Sequence, residues 1–142
     1  MFDTNAFDKM YTTDDDLDRI VASNKYEYYI TSIQIEEIGN IPDSRKEQRK
    51  QNLMTLCKIG AQLLFVPAVV GHARLDCCVV ADENDVYSDL LKVTHSNVND
   101  AMIGSTAKRE NCIVVTDDKD FSKRLKKHSV PTMTYNEFIQ SL

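Results

Sequence analysis

The chain predicts an α/β fold of three layers, α/β/α, with a central, mostly parallel sheet of about four or five strands. Three observations carry that expectation. CIVVTD (112–117) is a continuous apolar run ending in polar residues, the pattern of a strand covered on both faces in a parallel sheet. YEYYIT (26–31) and LLFVPAVV (63–70) are further runs of strand length, rich in aromatic, β-branched or aliphatic residues. Segments with helix-start signals alternate with these runs, and that alternation builds a parallel sheet packed between helices.

Taken in order, the first strand YEYYIT leads into TSIQIEEIGNI, where Thr31 and Gln34 form a capping-box signature for a helix. Ser44 and Glu47 repeat the signature and predict a helix through about Gly60, with Leu53, Leu56 and Cys57 on its inner side. Pro67 marks a strand end or bend within 63–70. LDCCVV (75–80) fits a strand or a buried helix, and periodicity does not choose between them. A helix is expected from about Ala81 to Val93, and a second, capped by Ser96, reaching Arg109 or Glu110. After CIVVTD come a short basic helix near Phe121–Lys127, a last strand in PTMTY (131–135) and a closing helical turn in NEFIQSL. No repeat or low-complexity linker interrupts the 142 residues, so one domain over 1–142 is expected.

Composition narrows the function classes. No apolar run approaches the ~20 residues that span a bilayer, and MFDTNAFDKM is too acidic for a secretory signal; a cytoplasmic location is expected. Cys57, Cys77, Cys78 and Cys112 form no CxxC pair, and adjacent cysteines bond to each other only with strain. Reduced thiols packed in a core are expected, with neither a disulfide framework nor zinc. His72, His95 and His128 show no ligand spacing. The net charge of −5 is unfavourable for a polyanionic partner, but it is unevenly distributed. Residues 1–43 hold ten acids and three bases, a balance of −7, and residues 44–142 hold twelve acids and fourteen bases, a balance of +2. Two basic stretches stand out: Arg45, Lys46, Arg49 and Lys50, then Lys119, Lys123, Arg124, Lys126 and Lys127. Such charges usually form a solvated helix face, and only a place beside an acidic site makes them phosphate contacts.

The acids themselves fall where strand ends and first helical turns meet. Asp3 lies at the start of the chain, with Asn5 suited to cap the turn that follows. Glu37 has Ile33 four residues before it and Ile41 four after, so it interrupts an apolar stripe, whereas Glu36 neighbours Ser32 and Asn40. A carboxylate on a buried stripe requires a metal or a buried Lys or Arg; Glu37 is therefore preferred over Glu36. Asp100 shares its helix face with Ile103 and Ala107, which puts it in the first turn of an inward stripe. In TDDKDF, Asp117, Asp118 and Asp120 repel one another unless a cation is present, and the Thr116 hydroxyl is placed to orient a carboxylate or a water. Oxygen donors without paired His or Cys favour Mg²⁺ or Mn²⁺.

Asp3-Thr4-Asn5, the Thr31 to Glu37 helix, Asp100 with Ile103 and Ala107, and Thr116, Asp118, Asp120 and Phe121 resemble, in this order, the motifs of PIN domains. The likeness is nearest to the toxin ribonucleases of the VapC type. It implies that Asp3, Glu37, Asp100 and Asp118 bind metal, with Asp120 a fifth member and Thr116 in support. It also implies Mg²⁺- or Mn²⁺-dependent hydrolysis of RNA to 5′-phosphate and 3′-hydroxyl ends, a small antitoxin partner and a homodimer. Gly104 stands where such domains often carry Ala, and 69–82 is longer than in compact members. An RNA-processing nuclease outside toxin–antitoxin systems and a non-catalytic PIN binding module are alternatives. A haloacid-dehalogenase-like phosphatase is a third, but its motif needs an acid where Asn5 stands.

Overall fold

The computed structural model of the protein describes residues 1–12, 14–69, 71, 75–80, 86–92 and 97–142. In chain order, residues 1–3 are extended, α1 spans Thr4–Thr12 and α2 spans Asp14–Ala22. β1 (Tyr29–Thr31) and α3 (Ser32–Gly39) follow, then a 3-10 turn at Asp43–Arg45 and α4 (Lys46–Lys58). β2 (Gln62–Leu64), β3 (Val66–Pro67), a second 3-10 turn at Leu75–Cys77 and β4 (Cys78–Val79) come next. The chain continues through α5 (Tyr87–Lys92), α6 (Val98–Arg109), β5 (Val114–Val115), α7 (Lys119–Lys127), β6 (Thr132–Met133) and α8 (Tyr135–Ser141).

Every described strand pair is parallel: β1 with β2, β3 with β4, and β5 with β6. Phe2 forms a parallel bridge to Val115, with Val115 N donating to Met1 O and Asp3 N to Val115 O, both at 2.9 Å. Strand alternation explains the three layers. Met1 and Val114 belong to one apolar cluster, with Ile103, Phe121 and Leu125 of α6 and α7. Phe2 and Val115, their chain neighbours, belong to the other, with Phe7, Ile20 and Phe138 of α1, α2 and α8. Successive side chains point to opposite faces of a strand, so the paired segments at Met1–Phe2 and Val114–Val115 feed both helical layers. The arrangement is the three-layer α/β/α fold.

Phe2 anchors this architecture beside Asp3. Its ring packs edge-on against Phe138 at 5.0 Å and Phe7 at 5.8 Å, and stacks on Tyr28 at 5.6 Å. Aromatic pairs of this kind add about 0.5–1.5 kcal/mol each beyond area burial. The fully buried Gln34 amide donates to Phe2 O, and its Oε1 accepts from Thr31 N at 2.8 Å. One side chain therefore ties the capped start of α3 to the first extended segment.

Several local expectations are met. Thr31 caps α3 in a capping box with Gln34. LDCCVV resolves into the 3-10 turn and β4. The cysteines are free thiols, but the expected core packing holds for Cys112, while Cys77 and Cys78 are half-buried and Cys57 is exposed. Others are corrected. The Ser44–Glu47 capping box does not form, because Pro42 opens a 3-10 turn and α4 begins at Lys46 with Arg45 in the cap position. The inner face of α4 carries Asn52, Thr55 and half-buried Leu56, with Ile59 just past its end, while Leu53 and Cys57 are exposed. The reason is a polar contact: Asn52 Nδ2 donates to Asp8 Oδ1 of α1 at 2.9 Å, which fixes the rotation of α4. Asn5 lies inside α1 and is exposed rather than capping it. Asn97 takes the cap position of α6 expected of Ser96. Ser96, His72 and His95, with the start of the helix expected from Ala81, lie outside the described residues.

Candidate active site

The site is assembled where the first segment, β5 and the starts or ends of three helices meet. Asp3 follows the Phe2–Val115 bridge and is only 8% exposed. Its Oδ1 accepts from Thr4 N at 2.7 Å and its Oδ2 from the Thr116 hydroxyl at 2.8 Å. Thr116 is buried at the carboxyl end of β5, and its oxygen also accepts from Asp118 N at 3.1 Å. One hydroxyl therefore couples the first acid to the fourth.

Glu37 sits in the last turn of α3 and is half-buried, while Glu36 is exposed. Both carboxylate oxygens of Glu37 are held: Oε2 accepts from the Thr4 hydroxyl at 2.5 Å and Oε1 from Asn99 Nδ2 at 2.7 Å. Asp100, in the first turn of α6, accepts at Oδ2 from Arg124 Nη2 at 2.7 Å and from Asn97 Nδ2 at 2.8 Å. Asp118 is exposed and caps α7: its Oδ1 accepts from Asp120 N and Phe121 N, both at 2.8 Å. Among the described residues, Asp118 Oδ2 and Asp100 Oδ1 accept no hydrogen bond.

Electrostatics joins these four acids into one neighbourhood. Burial pushes the Asp3 carboxyl above its ordinary value, its two hydrogen bonds oppose that, and the charges of Glu37 and Asp118 push it further up. Asp100 is pushed up to about 6, mainly by burial, against the pull of Arg124 and with Asp3, Asp118 and Glu37 adding to the rise. Carboxylates in such a field each gain from a cation.

Asp120 is exposed in the first turn of α7, two residues past Asp118. Asp117 turns away, paired to Lys9 at 2.6 Å. Among the described residues, no three Asp, Glu, His or Cys side chains converge tightly enough to hold an ion by themselves. Mutual repulsion accounts for this, since each carboxylate is turned toward its own donor: Thr4, Asn99, Thr116, Asn97 or Arg124. The donor set still fits a hard cation such as Mg²⁺, which keeps several waters and takes one or two carboxylates at a time.

Residues 1–127 match the sequence profile of the PIN domain. The chain belongs to the PIN-domain family. PIN domains are generally metal-dependent nucleases, so the family supports a nuclease fold, a divalent metal and a nucleic-acid substrate. No curated protein and no solved structure matches the chain significantly. Among the described residues of this PIN domain, no helix is long and apolar enough to cross a membrane.

Sequence reasoning passed over the donors around the acids. Thr4 and Asn99 adjoin Asp3 and Asp100 in the motifs, but nothing local says that both reach Glu37. Arg124 was counted with the basic face of its helix. A usable signal existed: Arg124 lies three residues from Phe121 and next to Leu125, the two buried residues of α7, so it breaks an apolar stripe as Glu37 does.

Proposed function

We propose that this PIN domain is a Mg²⁺- or Mn²⁺-dependent endoribonuclease, the toxin of a VapC-like pair with a small antitoxin. Asp3, Glu37, Asp100 and Asp118 would hold the metal, with Thr116 in support. The observation that carries the reading is that these acids come from four separate segments, that Thr116 is hydrogen-bonded to both Asp3 and Asp118 N, and that the charges of Glu37 and Asp118 push up the carboxyls of Asp3 and Asp100. Asp120, exposed in the first turn of α7 beside Asp118, would be a fifth member. The order of the motifs along the chain supports the toxin type. Pairing of β6 with β5 and packing of Phe138 on Phe2 favour one domain that extends past residue 127 to 142. A cytoplasmic homodimer is part of the same reading.

When bound, the divalent ion supplies Lewis acidity that lowers the pKa of a water and offsets charge on phosphate and leaving oxygens. The chain supplies position. Thr4 and Asn99 fix the plane of Glu37, and Thr116 fixes Asp3. The α7 amides hold one oxygen of Asp118, and the other accepts no hydrogen bond among the described residues. Arg124 partly neutralises Asp100, which limits repulsion of an incoming phosphate.

The test is digestion of purified RNA with Mn²⁺ against EDTA, with mapping of the cut ends, for the wild type and Asp100→Asn. Metal-dependent cuts with 5′-phosphate ends, lost in a folded Asp100→Asn protein, are expected. Cleavage in EDTA, or full metal-dependent activity in Asp100→Asn, would overturn the assignment.

A further inference from the structure

Helix α7 carries Lys119, Lys123, Lys126 and Lys127 at positions i, i+4, i+7 and i+8, a single stripe of the helix surface. Phe121 and Leu125 fill the opposite, buried side. A solvated amphipathic helix is the ordinary explanation, and three features go beyond it. First, the stripe lines a concave groove of about 590 Å³, together with the hydroxyls of Ser122 and Thr134. Second, among the described residues none of the four ammonium groups takes part in a hydrogen bond or ion pair, although Lys126 feels the charge of Glu137. Third, the groove ends at Thr116 and Asp118, two residues of the acid site. Asp117 also lies on the lining, but Lys9 neutralises it at 2.6 Å.

Like charges three and four residues apart destabilise a helix, so a stripe of four that makes no ion pair among the described residues suits an external polyanion. From Lys119 to Lys127 the helix advances about 12 Å. Ammonium groups spread along that length can meet successive phosphates of one strand. No described residue on the lining is aromatic, so the groove lacks the stacking platforms that grip bases. We propose that the α7 groove is the track that holds the phosphate backbone of single-stranded RNA, without regard to sequence, and leads it into the acid site. The proposal rests on the nuclease reading of that site and adds to it where the strand lies.

The experiment measures binding of fluorescein-labelled oligouridine and of a mixed-sequence RNA by anisotropy, in EDTA, between 50 and 300 mM salt. The triple variant Lys123→Gln, Lys126→Gln and Lys127→Gln is compared with the wild type and with Lys46→Gln, Lys50→Gln on α4. Each lost phosphate contact lowers the slope of log K against log salt by about 0.7, so the triple variant should lose about 2. Its affinity should fall at least tenfold at low salt for both RNAs, while the α4 variant behaves as the wild type. Wild-type protein that binds no RNA at 50 mM salt, or a triple variant with unchanged slope and affinity, overturns the proposal. Cleavage separates the two ideas. If the wild type cuts RNA and the triple variant shows the same KM, the track is wrong and the nuclease stands. If the wild type binds through these lysines but never cuts, the nuclease reading fails and the track stands.

Discussion

In the metal-free protein the Asp100 carboxyl is pushed up to about 6, against about 3.9 in an unfolded chain. The folded value lies above the unfolded one, so the stability this group contributes is fully present below about pH 4 and is lost as pH rises through about 6. A difference of about two pH units corresponds to about 3 kcal/mol. The side chain is 26% exposed and faces Arg124, so solvent screening reduces the effect to on the order of 1–2 kcal/mol. Other groups titrate in the same window, but Asn at this position does not, and the difference between the wild type and Asp100→Asn isolates Asp100. Urea unfolding in EDTA at several pH values from 4 to 7.5 measures it. The wild type should lose about 1–2 kcal/mol relative to the variant across that range, and saturating Mn²⁺ should restore wild-type stability at pH 7.5 but not that of the variant. A difference that stays flat, or that grows in favour of the wild type as pH rises, refutes the reasoning.

Three further outcomes are expected. Glu37→Gln should lower Mn²⁺-dependent cleavage by about 100-fold or more, an effect on the order expected for loss of a metal-positioning group, whereas exposed Glu36→Gln should change it less than threefold, on the order of experimental scatter for a surface site; the reverse ranking in a fluorogenic RNA assay would displace Glu37 from the site. Thr116→Val removes the hydroxyl shared by Asp3 and Asp118 N and should cost about 1–3 kcal/mol in urea unfolding and weaken Mn²⁺ binding by calorimetry, with Thr116→Ser retaining most of both. Gly104→Ala places a Cβ 2.8 Å from Leu125 Cδ2 and Leu90 Cδ1, so overpacking outweighs the helix-propensity gain of about 1 kcal/mol, and a lower urea midpoint with unchanged slope is expected; a higher midpoint would show that the two leucines move aside freely.

Local chemistry made much of this chain legible. Thr31 and Gln34 cap α3 because a capping box involves residues only three apart, and Glu37 rather than Glu36 faces inward because helical periodicity alone settles that choice. The strand expected in CIVVTD forms over Val114–Val115, shorter than the apolar run, and the helix after it follows with Asp118 as its cap. Where the outcome depended on a distant partner, local signals misled or fell silent. The rotation of α4 was set by Asn52 reaching Asp8, 44 residues away, and not by its leucines. Thr4 reaches Glu37 across 33 residues and Asn99 reaches it across 62, and neither contact leaves a trace in spacing.

The sequence by itself determined the capped start of α3, the apolar strand before Thr116 and the helix that follows it, since those choices depend on neighbours within one or two turns, whereas α1 and α2 were not expected from it. Only the tertiary structure decided which donor holds each acid, and that Arg124 serves Asp100 instead of the lysine stripe. Those outcomes are contests between long-range hydrogen bonds and charge repulsion, and they exist only once the segments have been brought together.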